Sequence, residues 1–372
     1  MEKKLRIGVM FGGRSGEHEV SLMSARSVLS VLDPAKYDVI EIGITHDGTW
    51  LSGRNVQEAF EANKLEDLYQ AVLLPEPNRG GQLFAVRSAT DGDRLEPVAT
   101  LDVIFPILHG TFGEDGTMQG LLELADVAYI GAGVLGSSVG MDKILFKDVM
   151  RANGIPVVDS VTVTRGQAQT GMDKVISAIE DALPYPVFVK PANLGSSVGV
   201  TKCRNRSDLY EGILEGAQFD RRVLVERGVN GREIEVSVLG NENPIASIAG
   251  EILPSDDFYS YEAKYIDERS TLLIPAPIDD FLMAKVRDLA VRAYVASDCA
   301  GMARADFLLD RDTNEVFLNE INTIPGFTKI SMYPKLWDAT GIPYPELVQK
   351  LIDLAFSRKA ERDATVRTYR SK

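Results

Sequence analysis

The sequence predicts an α/β fold with more than one domain, and three observations carry that expectation. Residues 5–11 form an apolar run that breaks at Gly12-Gly13, residues 20–32 repeat their apolar positions at helical spacing, and residues 39–44 are apolar again. Strand, helix and strand in that order open a parallel sheet with helices on its faces. From there to Asn230 the chain keeps alternating strand and helix patterns. With 372 residues it is too long for one small core, so roughly two or three domains are expected.

Each element then has its own signal. Asp33-Pro34 closes the first helix, and residues 101–108 form a further buried strand ending at His109. Between them, residues 53–97 mix a charged helical patch with turn-rich sequence and read as an insertion or long excursion. A helix over 116–125, a short strand over 127–130 and a helix over 142–153 follow, the last stopped by Gly154-Ile155-Pro156. The centre predicts strands over 160–164, 187–190, 198–202 and 223–226, with helices over 172–182 and 207–217. Residues 233–239 and 245–252 look like an antiparallel pair. A loop rich in tyrosine and charge covers 255–268, a helix covers 278–297, and strands cover 302–309 and 315–320. The charged tail after Phe356 is expected to fray.

Composition narrows the function class. Hydrophobic residues make up 45% and charged residues 25%, the balance of a soluble globular enzyme. The formal net charge of −14 repels a phosphate backbone, which argues against nucleic acid as a partner. Cys203 and Cys299 form no CxxC pair, so neither a disulfide framework nor a structural zinc site is expected. The N-terminal apolar stretch is short and runs into glycine, the mark of a buried strand rather than a signal peptide. No apolar run reaches the ~20 residues that span a bilayer, so no membrane association and a cytoplasmic location are expected.

Four glycine-rich turns compete for the role of ligand site. GAGVLG at 131–136 is a formal GxGxxG, with Asp159 somewhat beyond the usual place of a ribose-binding acid. It fits a dinucleotide turn, but the pattern alone is weak: a common strand–helix turn is the favoured reading, and a dinucleotide site would leave every later motif unexplained. KPANLGSSVG at 190–199 places Lys190 at a strand end. There Gly195 and Gly199 permit close backbone approach, and Ser196 and Ser197 add hydroxyls. A plain hairpin turn needs neither the lysine nor the serines, so contact with phosphate is the favoured reading. GGRSGEHE at 12–19 and HGTFGEDG at 109–116 both follow strands whose carboxyl ends are where open sheets bind ligands. Their acids, Glu17, Glu19, Glu114 and Asp115, also fit as first-turn residues that complement a helix dipole.

A second constellation lies near the C-terminus. Residues two apart in a strand share a face, so Arg304 aligns with Asp306 and Glu320 with Asn322. A hairpin through residues 310–314 would let the two faces coincide. That set of carboxylates and an amide oxygen suits Mg2+ or Mn2+ held together with nucleotide phosphates, and the guanidinium can neutralise growing negative charge. The alternative is a solvated hairpin face. Asp306 and Glu320, however, sit among Phe307, Leu308, Phe317, Leu318 and Ile321, where an unpaired acid is costly. The Pro325-Gly326 turn that follows can aim a backbone N–H at a reacting oxygen.

GGRSGEHEVS, HGTFGEDGTMQG, GAGVLGSSVGMDK, KPANLGSSVGV, GREIEV, YEAKY, RADF and NEINTIPGFTKIS stand in an order that resembles the D-alanine–D-alanine ligases of the ATP-grasp superfamily. The resemblance covers nearly the whole chain and thins over 53–97 and the last fifteen or so residues. It implies a three-domain ATP-grasp architecture, α/β overall and α+β in the ATP-grasp part. An N-terminal parallel-sheet domain would occupy 1–131, a central subdomain 132–230, and a C-terminal subdomain with the metal site 231–372.

The resemblance also implies roles, residue by residue. ATP would be held by Lys143, Lys190, Ser196, Ser197, Val198, Glu226, Arg227, Val229, Glu233, Lys264, Asn319 and Glu320. Two Mg2+ or Mn2+ ions would bind Asp306, Glu320 and Asn322, with Glu320 bridging. D-alanine would meet Glu17, His109, Arg304, Gly326, Ser331 and Met332, and Ser196 and Tyr265 would join Glu17 in a network that closes the site. The implied reaction activates one D-alanine as an acyl phosphate, which the amine of a second then attacks, for peptidoglycan synthesis by a homodimer. Relatives that use D-lactate typically carry Phe where Tyr265 stands, so Tyr265 favours the dipeptide. A nucleotide sensor on the same scaffold is the other alternative, and Arg304 and Lys264 argue against it.

Overall fold

A computed structural model describes residues 3–90, 92–195, 198–253 and 271–366. Ser196, Ser197, Lys264, Tyr265 and the expected loop over 255–268 lie outside the described residues.

The apolar run at the start becomes β1 (Leu5–Gly12), followed by α1 (His18–Leu29) and β2 (Tyr37–Ile44). β1 and β2 pair in parallel, as the strand–helix–strand pattern predicts. Next come β3 (Trp50–Ser52), α2 (Val56–Glu61), β4 (Tyr69–Leu73), β5 (Gln82–Ala89), β6 (Gly92–Thr100), β7 (Val103–Pro106), α3 (Thr117–Leu124) and β8 (Ala128–Tyr129). They build an eight-stranded sheet in the order β6-β5-β4-β3-β2-β1-β7-β8, parallel from β2 to β8 and antiparallel from β2 out to β6.

The 53–97 stretch holds the short helix α2 where the sequence predicts a charged helical patch, but its remainder supplies β4, β5 and most of β6 to the sheet rather than forming an excursion from it. β6 is an edge strand exposed along nearly all its length, and it carries Asp93, Arg94, Glu96 and Pro97. Without a buried face it shows no two-residue alternation, and its charges and proline suit an edge that must not pair further.

α4 (Val134–Met141) and α5 (Lys143–Ala152) follow this sheet. The GxGxxG glycines serve close packing here. A Cβ on Gly136 would lie 2.5 Å from the Asp298 carbonyl oxygen, and one on Gly301 would lie 3.1 Å from the Gly131 nitrogen. The second sheet holds β9 (Ser160–Thr164), β10 (Val187–Pro191), β11 (Thr201–Cys203) and β12 (Arg222–Arg227) in the order β11-β10-β12-β9, all antiparallel. α6 (Arg165–Ala182) and α7 (Arg206–Phe219) cover one face of it. α6 starts seven residues before the expected 172, because Thr164 and Gln167 form a capping box there. β11 starts at Thr201 rather than at Val198. Gly199 takes a positive φ of 70° in a turn against Pro191 and Phe219, which delays the strand.

The third sheet is antiparallel throughout: β13 (Gly231–Gly240), β14 (Ile245–Leu253), β15 (Thr271–Leu273), β16 (Gly301–Asp310) and β17 (Val316–Asn322), ordered β15-β14-β13-β16-β17. α8 (Asp280–Ala296) packs Val286, Leu289, Ala293 and Tyr294 against Ile234, Val236, Ala305 and Phe307 on one face. The other face is partly covered by the helix Met332–Thr340, where Met332 and Leu336 pack on Ile252, and is open along the rest of the β13–β16–β17 ladder.

α9 (Met332–Thr340) and α10 (Tyr344–Asp363) return to the first sheet. Their Tyr333, Trp337, Leu347 and Leu351 share a core with Ile7, Val9 and Phe105. The tail expected to fray after Phe356 is helical to Asp363. Arg362 pairs with Glu123 and with Asp126 at 3.0 Å, and Lys359 reaches Asp126 at 3.1 Å. Its charges face an acidic edge of the first sheet's layer, a partner that composition alone does not reveal.

Gly136→Ala tests the close packing of α4. Alanine gains about 1 kcal/mol in helix propensity over glycine, whereas forcing a methyl onto backbone costs about 1–3 kcal/mol. The net expectation is a lower urea midpoint. A raised midpoint would show that α4 moves freely against Asp298.

Candidate functional site

The three sheets meet at a cleft of about 650 Å³, a size usual for small-molecule sites. Its floor is the open face of the third sheet. Asp306 on β16 stands opposite Glu320 on β17, Arg304 stands opposite Asn322, and Glu235 on β13 stands opposite Asp306. The hairpin expected from strand spacing is thus present, with its faces in coincidence.

The register shifts between Asp306 and Phe307, so Asn319 has no partner across the strand. This bulge lets Asn319 and Glu320 both line the cleft, although neighbours in a regular strand point to opposite faces.

The Arg304 guanidinium grips both Asp306 carboxylate oxygens at 2.7 Å and lies 3.0 Å from Glu235. The Asn322 amide donates to Asp306 at 2.9 Å. Among the described residues, Asp306, Glu320 and Asn322 offer an oxygen-donor set of the kind that suits Mg2+ or Mn2+. The residues present therefore fit such ions.

The roof comes from the second sheet and α5. Asp142 caps α5, accepting from Ile144 N–H at 3.2 Å and Leu145 N–H at 3.0 Å, and is itself paired with Arg222. Such a cap contributes about 1 kcal/mol and fixes the first residue, Lys143. The Lys143 ammonium donates to the Leu194 carbonyl at 2.6 Å and its N–H to the Ala192 carbonyl at 2.8 Å, joining it to the glycine-rich turn. Lys190 leaves β10 to pair with buried Glu226 and to reach Asn319 Oδ1 at 3.4 Å.

Glu226 has a second partner in fully buried Lys147. Burial by itself pushes the Glu226 carboxyl up, but the Lys190 and Lys147 ammoniums outweigh it and hold the group down to about 2. Arg227, Val229 and Glu233 line the same end of the cleft.

The N-terminal sheet closes the remaining side. Glu17 stands at the N-terminal end of α1 without a side-chain cap bond, is buried, and sits where a Cβ on Gly195 would come within 2.7 Å of its carboxylate. His109 is buried with both ring nitrogens engaged. Nδ1 donates to the Ile324 carbonyl at 2.9 Å, and Nε2 accepts from Ser24 Oγ at 2.9 Å. Desolvation lowers its pKa against the pull of Glu17. Glu114 accepts from the N–H groups of Gly110 and Ile324, both at 2.8 Å. Desolvation in the cleft wall, and then Glu17 nearby, push its carboxyl up to about 8.

The cleft collects Glu17, His109, Lys143, Lys190, Glu226, Arg227, Val229, Glu233, Arg304, Asp306, Asn319, Glu320, Asn322 and Gly326. Val198, Ser331 and Met332 do not line it. Val198 lies in the exposed turn, the Ser331 hydroxyl bonds Thr328 Oγ1 at 2.7 Å and accepts its N–H at 3.1 Å, and Met332 is buried beside Leu336. Reading the sequence misses Lys147, Glu235 and the proton held on Glu114. Glu235 had a signal, since it shares a face with Glu233 two residues away. Lys147 had none, because a lysine on a helix reads as solvated until its burial is known.

A nucleotide-sized cleft between two antiparallel sheets, with lysines above and acids below, is that of an ATP-grasp ligase. Solved structures agree: a D-alanine-D-alanine ligase from Coxiella burnetii matches with a TM-score of 0.82 at 35% identity, covering 97% of this chain and 96% of that one. The VanG D-Ala:D-Ser ligase from Enterococcus faecalis matches at 0.83 and 34%, covering 95% and 100%. Family models described as the D-ala D-ala ligase N-terminus and C-terminus match residues 6–132 and 149–353. A D-alanine--D-alanine ligase of Thermoanaerobacter sp. is 50% identical over 363 residues, 97% of this chain and 99% of its own length. The chain belongs to the D-alanine–D-alanine ligase family.

Two measurements test the charges of the site. Lys147→Met removes one partner of a buried pair, so a loss of about 3–5 kcal/mol is expected in urea unfolding. An unchanged midpoint would show that Lys190 alone neutralises Glu226. Glu114 binds its proton more tightly folded than unfolded. Its contribution is full below about 4.5 and is lost as pH rises through about 8. Glu114→Gln in the ligand-free protein should flatten the fall of the urea midpoint across that window.

Proposed function

We infer that the chain uses ATP to join two D-alanine molecules into D-alanyl-D-alanine for cell-wall synthesis. The observation that carries this reading is the convergence of a carboxylate-lined floor, a lysine-lined roof and buried Glu17 on one cleft. In the proposed sequence, a D-alanine carboxylate oxygen attacks the γ-phosphorus and ADP leaves. The amine of the second D-alanine attacks the acyl phosphate carbon, its proton is lost, and phosphate departs. Phosphoryl transfer of this kind needs positioning and cations rather than a protein nucleophile.

The arrangement supports specific roles. Lys143 and Lys190 face the phosphates, with Lys147 positioning Lys190 through Glu226. Arg227, Val229 and Glu233 flank the nucleoside, with Val198 in the turn above, and Asn319 stands beside Lys190. Glu17 takes the first ammonium, and Arg304 with the Gly326 N–H receives the negative charge of the attacked carbonyl. His109, committed to Ile324 and Ser24, acts by fixing the loop that carries Gly326. Asp306, Glu320 and Asn322 would hold two Mg2+ or Mn2+ ions, which when bound neutralise phosphate oxygens. Ser196, Ser197, Lys264, Tyr265, Ser331 and Met332 complete the reading as its resemblance implies. So do the domain division at 131 and 230, a homodimer and a cytoplasmic location. Among the described residues no helix is long and apolar enough to cross a membrane.

Phosphate release from ATP should need D-alanine and be absent with L-alanine, with the dipeptide appearing in step. Release with L-alanine alone, or none with either, overturns the reading. D-lactate and D-serine offered as second substrates should give little product. Glu320→Gln should reduce kcat by about 100-fold or more, since the ions it holds are worth several kcal/mol, while the circular dichroism spectrum stays unchanged. Full activity in that variant would refute the metal assignment.

A further inference from the structure

The chain has three histidines, and two of them meet outside the cleft. His18, in the first turn of α1, stacks on His46, in the turn after β2, with ring centroids 3.8 Å apart. The Glu19 carboxylate lies 3.8 Å from His46 Nε2. One ligand atom from each of His18, Glu19 and His46 lies within 4.8 Å of the others, and no other such cluster of His, Cys, Asp and Glu occurs among the described residues. We propose that these three side chains form a binding site for a first-row transition dication of the zinc class, separate from the oxygen-donor cleft.

The donor chemistry selects the ion. Two imidazole nitrogens and one carboxylate suit Zn2+ and its neighbours, whereas Mg2+ prefers oxygen alone. His18 is already oriented for the task. Its Nδ1 lies 2.8 Å from the Gly13 carbonyl oxygen, which can only accept, so that nitrogen carries the proton and Nε2 keeps its lone pair. An outer hydrogen bond of this type is the usual support of a metal-binding histidine. The ring is buried over Gly12, where a Cβ would lie 3.0 Å from it, so its direction is fixed.

The other two ligands supply the adjustment. The His46 and Glu19 side chains are 70% and 69% exposed, free to rotate toward His18. Bonds of about 2.0–2.1 Å in a tetrahedron bring donors to roughly 3.4 Å apart, so the widest separation must close by little more than 1 Å. Backbone bonds hold the platform, with Gly13 N–H to the Ile44 carbonyl at 2.8 Å and Thr45 N–H to the Thr49 carbonyl at 2.9 Å. Three protein ligands on a solvent-facing edge leave a fourth position for water, the pattern of an open site.

The test uses tag-free, chelator-stripped protein in saturating Mg2+, titrated calorimetrically with Zn2+ and spectroscopically with Co2+. One equivalent of Zn2+ and visible tetrahedral Co2+ bands are expected in the wild type and in Glu320→Gln. Affinity should fall at least tenfold in His46→Ala and in Glu19→Gln, both surface changes that leave Mg2+-supported activity intact. No zinc uptake by the wild type, or equal affinity in His46→Ala, overturns the proposal. Loss of the equivalent in Glu320→Gln instead would assign the zinc to the cleft and likewise overturn it.

Discussion

Asp306 stands opposite Glu320 across β16 and β17, and most of the cleft follows from that pairing. Strand side chains alternate, so this one register decides that Arg304 and Asn322 share the same face while Ala305 and Ile321 turn into the core. A slip of one residue would put every acid against α8 and every apolar side chain into the ligand space. The bulge at Asn319 adds one more polar group to that face without disturbing the core side. β13 is bound by the same rule. Its Glu233 and Glu235 face the ligand space, and Ile234 and Val236 face α8.

Gathering acids in this way creates a charge problem, and the protein answers it locally. Arg304 lies between Asp306 and Glu235, and Lys147 and Lys190 both lie on Glu226. Buried ions without partners are very costly, so each group is compensated before any ligand arrives. The Arg304–Asp306 pair illustrates the consequence for the proposed chemistry. The guanidinium proposed to stabilise an oxyanion neutralises a carboxylate proposed to hold metal. The same economy lets a chain of net charge −14 accept an anionic nucleotide, because its cations are concentrated where the phosphates would lie.

The parts legible in the sequence were those with a period. The β1–α1–β2 unit, the third sheet and the acid face of the β16–β17 hairpin all come from alternation or helical spacing. β6 escaped because an exposed edge strand has no buried face to write a pattern. The end of α10 escaped because its lysine and arginine are satisfied by Glu123 and Asp126, more than two hundred residues away. Lys147 escaped for the same reason: its partner Glu226 is distant in sequence, and nothing local marks a helical lysine as buried. Glu114 looked like an ordinary first-turn acid. Its proton affinity depends on desolvation and on Glu17, both of which are tertiary facts.

Those long-range contacts also explain why the site needs the whole chain. The loop bearing Gly326 leaves β17 with no regular structure of its own, yet its backbone is held in place. The N-terminal sheet holds it. His109 binds the Ile324 carbonyl, Glu114 binds the Ile324 N–H, and Ser24 on α1 accepts from Phe327 at 3.3 Å. Tyr344 adds a bond to the Phe327 carbonyl at 2.7 Å. Phe327 itself packs edge-on against Phe105 of β7. A loop fixed at both backbone groups of Ile324 has little freedom left. The turn after β7 and Ser24 on α1 therefore form a frame around the Pro325-Gly326 turn, and that rigidity is what the oxyanion role proposed for the Gly326 N–H would need.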